Sequence, residues 1–296
     1  MAHATAREMG LTLPTGVPDA IAVMSQAKTE NFTVASRLLP ARERQHLLAI
    51  YGFARLADDI GDEAAGDRLA LLDWLDAELA LAARGRATHP VMVQLTPTLR
   101  ACELPLDPFR KLIEANRRDQ VVTRYGTFTQ LLGYCELSAN PVGELVLRVF
   151  GVATPDRLAL SDRVCTGLQL VEHLQDVRED VRDGRIYLPV EDLVRFGCTE
   201  ADLMRPSAPP PLRALVRAQV ERTRPFLHAG VPLAASLHGR VRLAVAGFAA
   251  GGHAALDAIV RAHGDVLARH RRPRVDRVAV RLASVMVGAV RMRGGS

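Results

Sequence analysis

Residues 41–63 read ARERQHLLAIYGFARLADDIGDE, and this stretch decides the fold. It holds no proline, and at 100° per residue Leu47, Tyr51, Ala54, Asp58 and Asp62 fall within about a quarter of a helix circumference. The apolar stripe therefore runs on into two carboxylates. A solvated helix end would explain Asp58, Asp59 and Asp62 as a charge run, but not why Asp58 and Asp62 point where Leu47 and Tyr51 point. Burying unpaired carboxylates is costly, so the spacing predicts a polar cavity or a bound cation.

Residues 167–189, GLQLVEHLQDVREDVRDGRIYLP, repeat the pattern. In a helix predicted over 155–183, Cys165, Gln169, Glu172, Asp176 and Asp180 share one face. Like charges at this spacing repel and destabilise an isolated helix, so their alignment predicts neutralisation from outside. Carboxylate oxygens without His or Cys partners suit a hard cation, and Mg²⁺ commonly binds through a few carboxylates plus substrate phosphate oxygens. Two such helices facing each other would hold several Mg²⁺ ions around one diphosphate, whose departure the cations would assist.

The rest of the chain supports a helical setting. Of 296 residues 48% are hydrophobic, enough for a sizeable core, while aromatics are 4% and Ala, Leu, Val and Arg dominate. Prolines separate segments that read as helices over 18–27, 30–39, 41–64, 67–84, 91–101, 106–120, 127–150, 155–183, 191–195, 212–229, 233–262 and 275–292, with the proline-rich stretch 205–212 as a connection. The expectation is one all-α domain over 1–296, a helical bundle around a central apolar cavity. Lys and Arg number 38 against 33 Asp and Glu, a net +5 carried almost wholly by arginine and spread along the chain. No aromatic or groove-reading motif accompanies it, which argues against nucleic acid as a partner. Cys102, Cys135, Cys165 and Cys198 form no C-x-x-C pair, so neither a disulfide framework nor a zinc site is expected, and a reducing cytoplasm fits. The longest uncharged apolar run, 243–256, is short for a bilayer crossing, and no secretory signal is evident. The glycine run at 247–252 lacks the βαβ context of a dinucleotide site and predicts close helix packing.

These motifs resemble the squalene and phytoene synthase family of head-to-head isoprenoid synthases. The resemblance is clearest over 29–189: NFTVASRLLP at 31–40, ARLADDIGD at 54–62, and QDVRED with GRIYLP at 175–189. The NF-x-VAS opening, the ADDIGDE run and SANPVG at 138–143 are most like the bacterial hydroxysqualene synthase branch of hopanoid biosynthesis. The resemblance implies the isoprenoid synthase fold, with Asp58 and Asp62 as the first magnesium motif and Asp176 and Asp180 as the second. Arg55 matches the arginine that holds diphosphate, a role suited to a bidentate guanidinium. Asn31, Phe32, Tyr51, Tyr134, Asn140, Gln169, Arg185 and Tyr187 fall at substrate-pocket positions. Glu172 stands where many relatives carry Asn, and is either a further metal ligand or a source of repulsion toward diphosphate. Gln175 stands where an Arg is common. Pro141 should kink the helix predicted over 127–150, either turning Asn140 toward a passing carbocation or packing Tyr134 in the core. His173 is close enough to the acidic face to act as a base, but its expected place is surface or core.

The implied reaction is Mg²⁺-dependent conversion of presqualene diphosphate to hydroxysqualene and diphosphate, without NADPH. The alternatives are condensation of two prenyl diphosphates to presqualene diphosphate or phytoene and, in another class, a non-catalytic helical lipid-binding or assembly partner. A separate presqualene diphosphate synthase and a reductase would be functional partners. Arg269, Arg271, Arg272, Arg274 and Arg277 precede an apolar stretch, which is either an ordinary solvated helix start or a peripheral contact with the inner membrane face.

Overall fold

The computed structural model describes residues 13–25, 40–268 and 275–294, and among them the regular elements are helices. In chain order these are α1 (Ala20–Ser25), α2 (Ala41–Asp62), α3 (Arg68–Ala83), α4 (Pro90–Ala101), α5 (Asp107–Asp119), α6 (Phe128–Ser138), α7 (Asn140–Val149), α8 (Pro155–Gln175), α9 (Val177–Arg182), α10 (Val190–Arg195), α11 (Glu200–Leu203), α12 (Pro210–His228), α13 (Gly230–Ser236), α14 (Gly239–Arg261) and α15 (Val275–Gly294). The described residues gather into two compact units, one within 1–121 and 144–153, the other within 122–143 and 154–296.

Local chemistry sets the helix starts. Asp67 accepts the Ala70 N–H at 3.0 Å, and Thr127 with Gln130 forms a reciprocal capping box at the start of α6. Pro90, Pro155, Pro210 and Pro211 occupy first turns, where a missing N–H costs nothing. The proline run expected as a connection therefore ends inside α12. In the first unit the core centres on the edge-to-face pair Phe53–Phe109, 4.9 Å between centroids, with Leu56, Ile60, Leu72, Leu75, Leu79 and Leu95 fully buried around it. In the second unit Val171, Leu174, Leu212, Leu215, Val216 and Leu256 belong to one buried cluster.

Several predicted helices are interrupted. The helix expected over 155–183 breaks at Asp176, whose backbone (φ −101°, ψ 10°) ends α8 and starts α9. The segment 127–150 breaks at Ala139, two residues before Pro141, whose missing N–H cannot carry the helical ladder across. The segment 233–262 divides into α13 and α14, with Gly239 in the left-handed region (φ +58°), where only glycine sits without strain. The helix expected over 30–39 lies outside the described residues. By length and apolarity α14 would suit a bilayer crossing, contrary to the reading of its uncharged run, but 61% of that window is buried inside the molecule, as in a core helix. Gly252 bears out close packing in the glycine run, since a Cβ there would come within 2.9 Å of both Leu168 and Leu227. All four cysteines are free.

Gly143 is a second close approach, this time between the start of α7 and α8. A Cβ at that position would collide with Ser161 Oγ and Cys165 Sγ. Gly143→Val is therefore expected to destabilise the protein by about 1–3 kcal/mol through overpacking. An unchanged midpoint in chemical denaturation would contradict this.

Candidate active site

The first acidic motif closes α2. Tyr51 and Arg55 are half-buried, whereas solvent still reaches Asp58 and Asp62, and the residue fully sequestered is Asp59, at 5% exposure. The inside-facing stripe thus opens toward solvent over its last turns, a correction to the strictly inward reading. Asp59 is buried because Arg55 Nη2 reaches its Oδ1 at 2.6 Å, and the same nitrogen lies 3.2 Å from Glu63 Oε1. The guanidinium expected to grip diphosphate is held in place by two carboxylates of its own helix.

Asp58 accepts a hydrogen bond from Asn116 Nδ2 at 3.1 Å. Asp58 is exposed on one side, and the protein packed around its other sides takes away part of its hydration. That desolvation pushes its carboxyl up to about 7, with the Asn116 bond opposing and the Asp62 and Asp59 charges adding to the rise. Asn116 itself is buried and fits against Gly61, where any side chain would collide with it. Gln120 Nε2 and Arg68 Nη1 donate to the Gly61 carbonyl at 2.9 and 3.1 Å, finishing the end of α2 with a side-chain donor and a cation.

The second motif sits at the α8–α9 break. Glu172 and Asp176 are exposed, while Asp180 and Gln169 are half-buried. The Asp176 carbonyl accepts the N–H groups of Glu179 and Asp180, both at 2.8 Å, so the chain resumes its helical path after the break. Burial pushes Asp180 up to about 7, helped by the Asp176 charge and opposed by Arg185. Asp176 is raised as well, by burial and then by Glu179. The Arg185 N–H bonds the Asp180 carbonyl at 2.8 Å, which ties the second motif to the RIYLP segment.

That segment is clamped to residues 123–126. Ile186 N–H donates to Thr123 O, Val190 N–H to Tyr125 O and Glu191 N–H to Gly126 O, at 2.9, 2.9 and 3.0 Å. Arg124 adds a two-point contact with Glu200 at 2.8 and 2.9 Å and a bond to the Gly184 carbonyl at 2.7 Å. The clamp assembles four buried rings. Tyr187 stacks on His173 at 3.9 Å and 16°, Tyr134 lies 5.5 Å from Tyr187, and Tyr125 stacks behind Tyr187 at 5.9 Å. His173 is thus a core residue, with its pKa driven down to about 3 by burial. Asn140 accepts from Thr166 Oγ1 at 3.0 Å, which fixes its side chain toward α8. Asn31 and Phe32 lie outside the described residues.

Among the described residues no three His, Cys, Asp or Glu side chains gather into a ready-made metal cage. The donor chemistry nonetheless fits Mg²⁺. Each motif offers a pair of oxygen ligands, of which Asp58 and Asp180 are the members with raised carboxyls, and a cation that keeps waters and takes phosphate oxygens needs few protein ligands. The sequence reading missed Asn116, Gln120 and Tyr125. Asn116 carried the same signal as Asp58, a polar group on an apolar helix stripe, here continuing Phe109, Leu112 and Ile113 of α5.

The all-α fold is that of the squalene synthase-like isoprenoid synthases. The chain belongs to the squalene/phytoene synthase family, whose model matches residues 25–279. It is 36% identical to a phytoene synthase of Arthrospira platensis over 231 residues, 73% of this chain and 74% of that one. It is 38% identical to a hydroxysqualene synthase of Rhodopseudomonas palustris over 214 residues, 71% of this chain and 72% of that one. Among solved structures, squalene synthase HpnC from Alicyclobacillus acidocaldarius superposes with a TM-score of 0.77 at 40% identity, covering 83% of this chain and 94% of that one. A ligand-bound dehydrosqualene synthase superposes with a TM-score of 0.81 at 25% identity, covering 91% and 95%.

The Asn116–Asp58 bond generates a direct expectation. Asn116→Ala removes a buried hydrogen bond and should cost about 1–3 kcal/mol in chemical denaturation. Asn116→Asp would set another acid beside Asp58 and should cost more at pH 8 than at pH 5, where protonation relieves the repulsion. Equal losses at the two pH values would contradict the pairing.

Proposed function

We propose that the protein converts presqualene diphosphate to hydroxysqualene and diphosphate with Mg²⁺. The observation that carries this reading is the placement of oxygen-only carboxylate pairs beside arginines: Asp58 and Asp62 with Arg55, and Asp176 and Asp180 with Arg185. The reaction balances as ionisation and capture. The carbon–oxygen bond breaks with its electron pair leaving on diphosphate, the cyclopropylcarbinyl cation rearranges, water adds, and the released proton goes to diphosphate. Bound Mg²⁺ would supply charge neutralisation of the leaving group. Asp58, Asp62, Asp176 and Asp180 would hold it, with Glu172 a further candidate ligand. Arg55, already fixed by Asp59 and Glu63, would orient phosphate oxygens. Tyr51, Tyr134 and Tyr187 would line the path of the cation.

Likeness to hydroxysqualene synthases supports water capture as the last step. A second reading, head-to-head condensation of prenyl diphosphates, is favoured by the 36% identity to a phytoene synthase. The proposal extends to a cytoplasmic enzyme in peripheral contact with the inner membrane face, working between a presqualene diphosphate synthase and a reductase. Of the arginines invoked for that contact, Arg277 is described and exposed, while 269, 271, 272 and 274 lie outside the described residues.

Given presqualene diphosphate and Mg²⁺, the protein should form hydroxysqualene at the same rate with or without NADPH, and little product from farnesyl diphosphate alone. Squalene formed only with NADPH would overturn the water step, and efficient formation of presqualene diphosphate from farnesyl diphosphate would move the assignment to condensation. Asp58→Asn, Asp62→Asn, Asp176→Asn and Asp180→Asn should each lower turnover by about 10²-fold or more while the protein stays folded. Wild-type rates in any two of them would dissolve the site. For Glu172, a ligand role predicts that Glu172→Ala raises the Mg²⁺ concentration giving half-maximal rate, about tenfold by the usual scale of ligand loss, and an unchanged requirement would make it a solvated surface acid.

A further inference from the structure

Water capture needs one water held in a fixed orientation, because a carbocation beside mobile water and carbon–hydrogen bonds also loses protons to give alkenes. Gln169 and His173 supply the geometry for such a water. Gln169 shares the α8 face that carries Glu172 and Asp176, and it is half-buried at that face. Its Nε2 lies 3.4 Å from His173 Nε2, one helical turn on.

The imidazole cannot swing. It stacks on Tyr187 at 3.9 Å and 16°, has Tyr134 at 5.9 Å on a tilted approach, and is 8% exposed. Tyr187 is backed in turn by Tyr125, and its backbone is held by the clamp to residues 123–126. A carboxamide that donates from its nitrogen to a fixed ring nitrogen has lost the rotation about its last bond. Its oxygen is then left as an acceptor in one direction, able to take an O–H of water while the water's lone pair faces elsewhere.

We infer that His173 is a positioning residue, which through Gln169 orients the water that captures the carbocation. The inference rests on the hydroxysqualene reading above. In this step water oxygen forms the new carbon–oxygen bond with its own electron pair, and the proton of the resulting oxonium passes to the departed diphosphate. The imidazole neither gives nor takes a proton. Its part is to fix the amide, and the aromatic stack's part is to fix the imidazole.

The test reads the partition of products, which a merely structural role would not move. His173→Phe keeps a ring in the stack and removes the nitrogen. With presqualene diphosphate and Mg²⁺ it should release diphosphate within about threefold of wild type, while the share of hydroxysqualene falls at least fivefold in favour of alkenes formed by proton loss. Gln169→Leu, whatever it does to the rate of diphosphate release, should lower the alcohol share among the products formed, and the double variant should lower that share no further than either single one, as expected for two residues acting in series. An unchanged alcohol share in either single variant would overturn the inference, as would a parallel fall of diphosphate release and alcohol in His173→Phe. Should His173→Phe not fold, Gln169→Leu alone decides. Wild-type protein that releases diphosphate without forming the alcohol would instead sink the functional reading itself, so the two failures are distinguishable.

Discussion

A carboxylate withdrawn from water must be paired, protonated or met by a cation, and the contrast between the acids of this protein follows from that constraint. Asp192 receives both Nη atoms of Arg222 at 2.9 and 3.0 Å and the Gln219 amide at 2.7 Å. Glu78 is met by Thr88 N–H, Thr88 Oγ1 and His89 N–H. Asp265 is raised by burial, but the N–H groups of Ala208, Ala268 and Leu267 with Arg213 more than offset it and leave its carboxyl below the usual range. These acids are finished by the protein. Asp58 accepts the Asn116 amide and Asp180 feels the opposing charge of Arg185, yet both are pushed up to about 7. The fold gives its structural carboxylates dense donor sets, whereas the carboxyls of Asp58 and Asp180 stay raised within theirs.

Each unit spends ordinary packing on placing those groups. In the first, Asn116, Gln120 and Arg68 converge on the last turn of α2, so the end that carries Asp58 and Asp62 is set by α5 and α3. In the second, the short backbone clamp between 123–126 and 184–191 brings Tyr125, Tyr134, His173 and Tyr187 together and anchors Arg185 beside Asp180. Arg222 strengthens it from outside, lying 4.4 Å over the Phe128 ring while paired with Asp192, and Glu191 accepts the Phe128 N–H at 2.7 Å.

Much of this was legible in residue spacing. The helices of 41–62 and 155–175, their acidic stripes and the interruption near Pro141 follow from periodicity and proline chemistry. Spacing alone did not reveal the break at Asp176, because the helical periodicity runs on across it and the break costs one backbone conformation. It did not reveal Asn116 or Tyr125 either, since their roles depend on which distant segment packs against them. The resemblance proposed Arg55 for diphosphate, but its bond to Asp59 was hidden by reading the DD pair as one charge run. The family resemblance supplied the proposed roles of Asp58, Asp62, Asp176 and Asp180, while the raised carboxyls of Asp58 and Asp180 are a property of the fold.

The central claim is that the motif carboxylates are completed by Mg²⁺ together with diphosphate. The most direct measurement is thermal unfolding of the wild-type protein with Mg²⁺, with inorganic diphosphate, and with both. Ligand at about 100 times its dissociation constant contributes on the order of 2.7 kcal/mol, so the account predicts a rise of several degrees that requires both components and disappears in the double variant Asp58→Asn, Asp180→Asn. No joint rise in the wild type, or the same rise in the double variant, would contradict it.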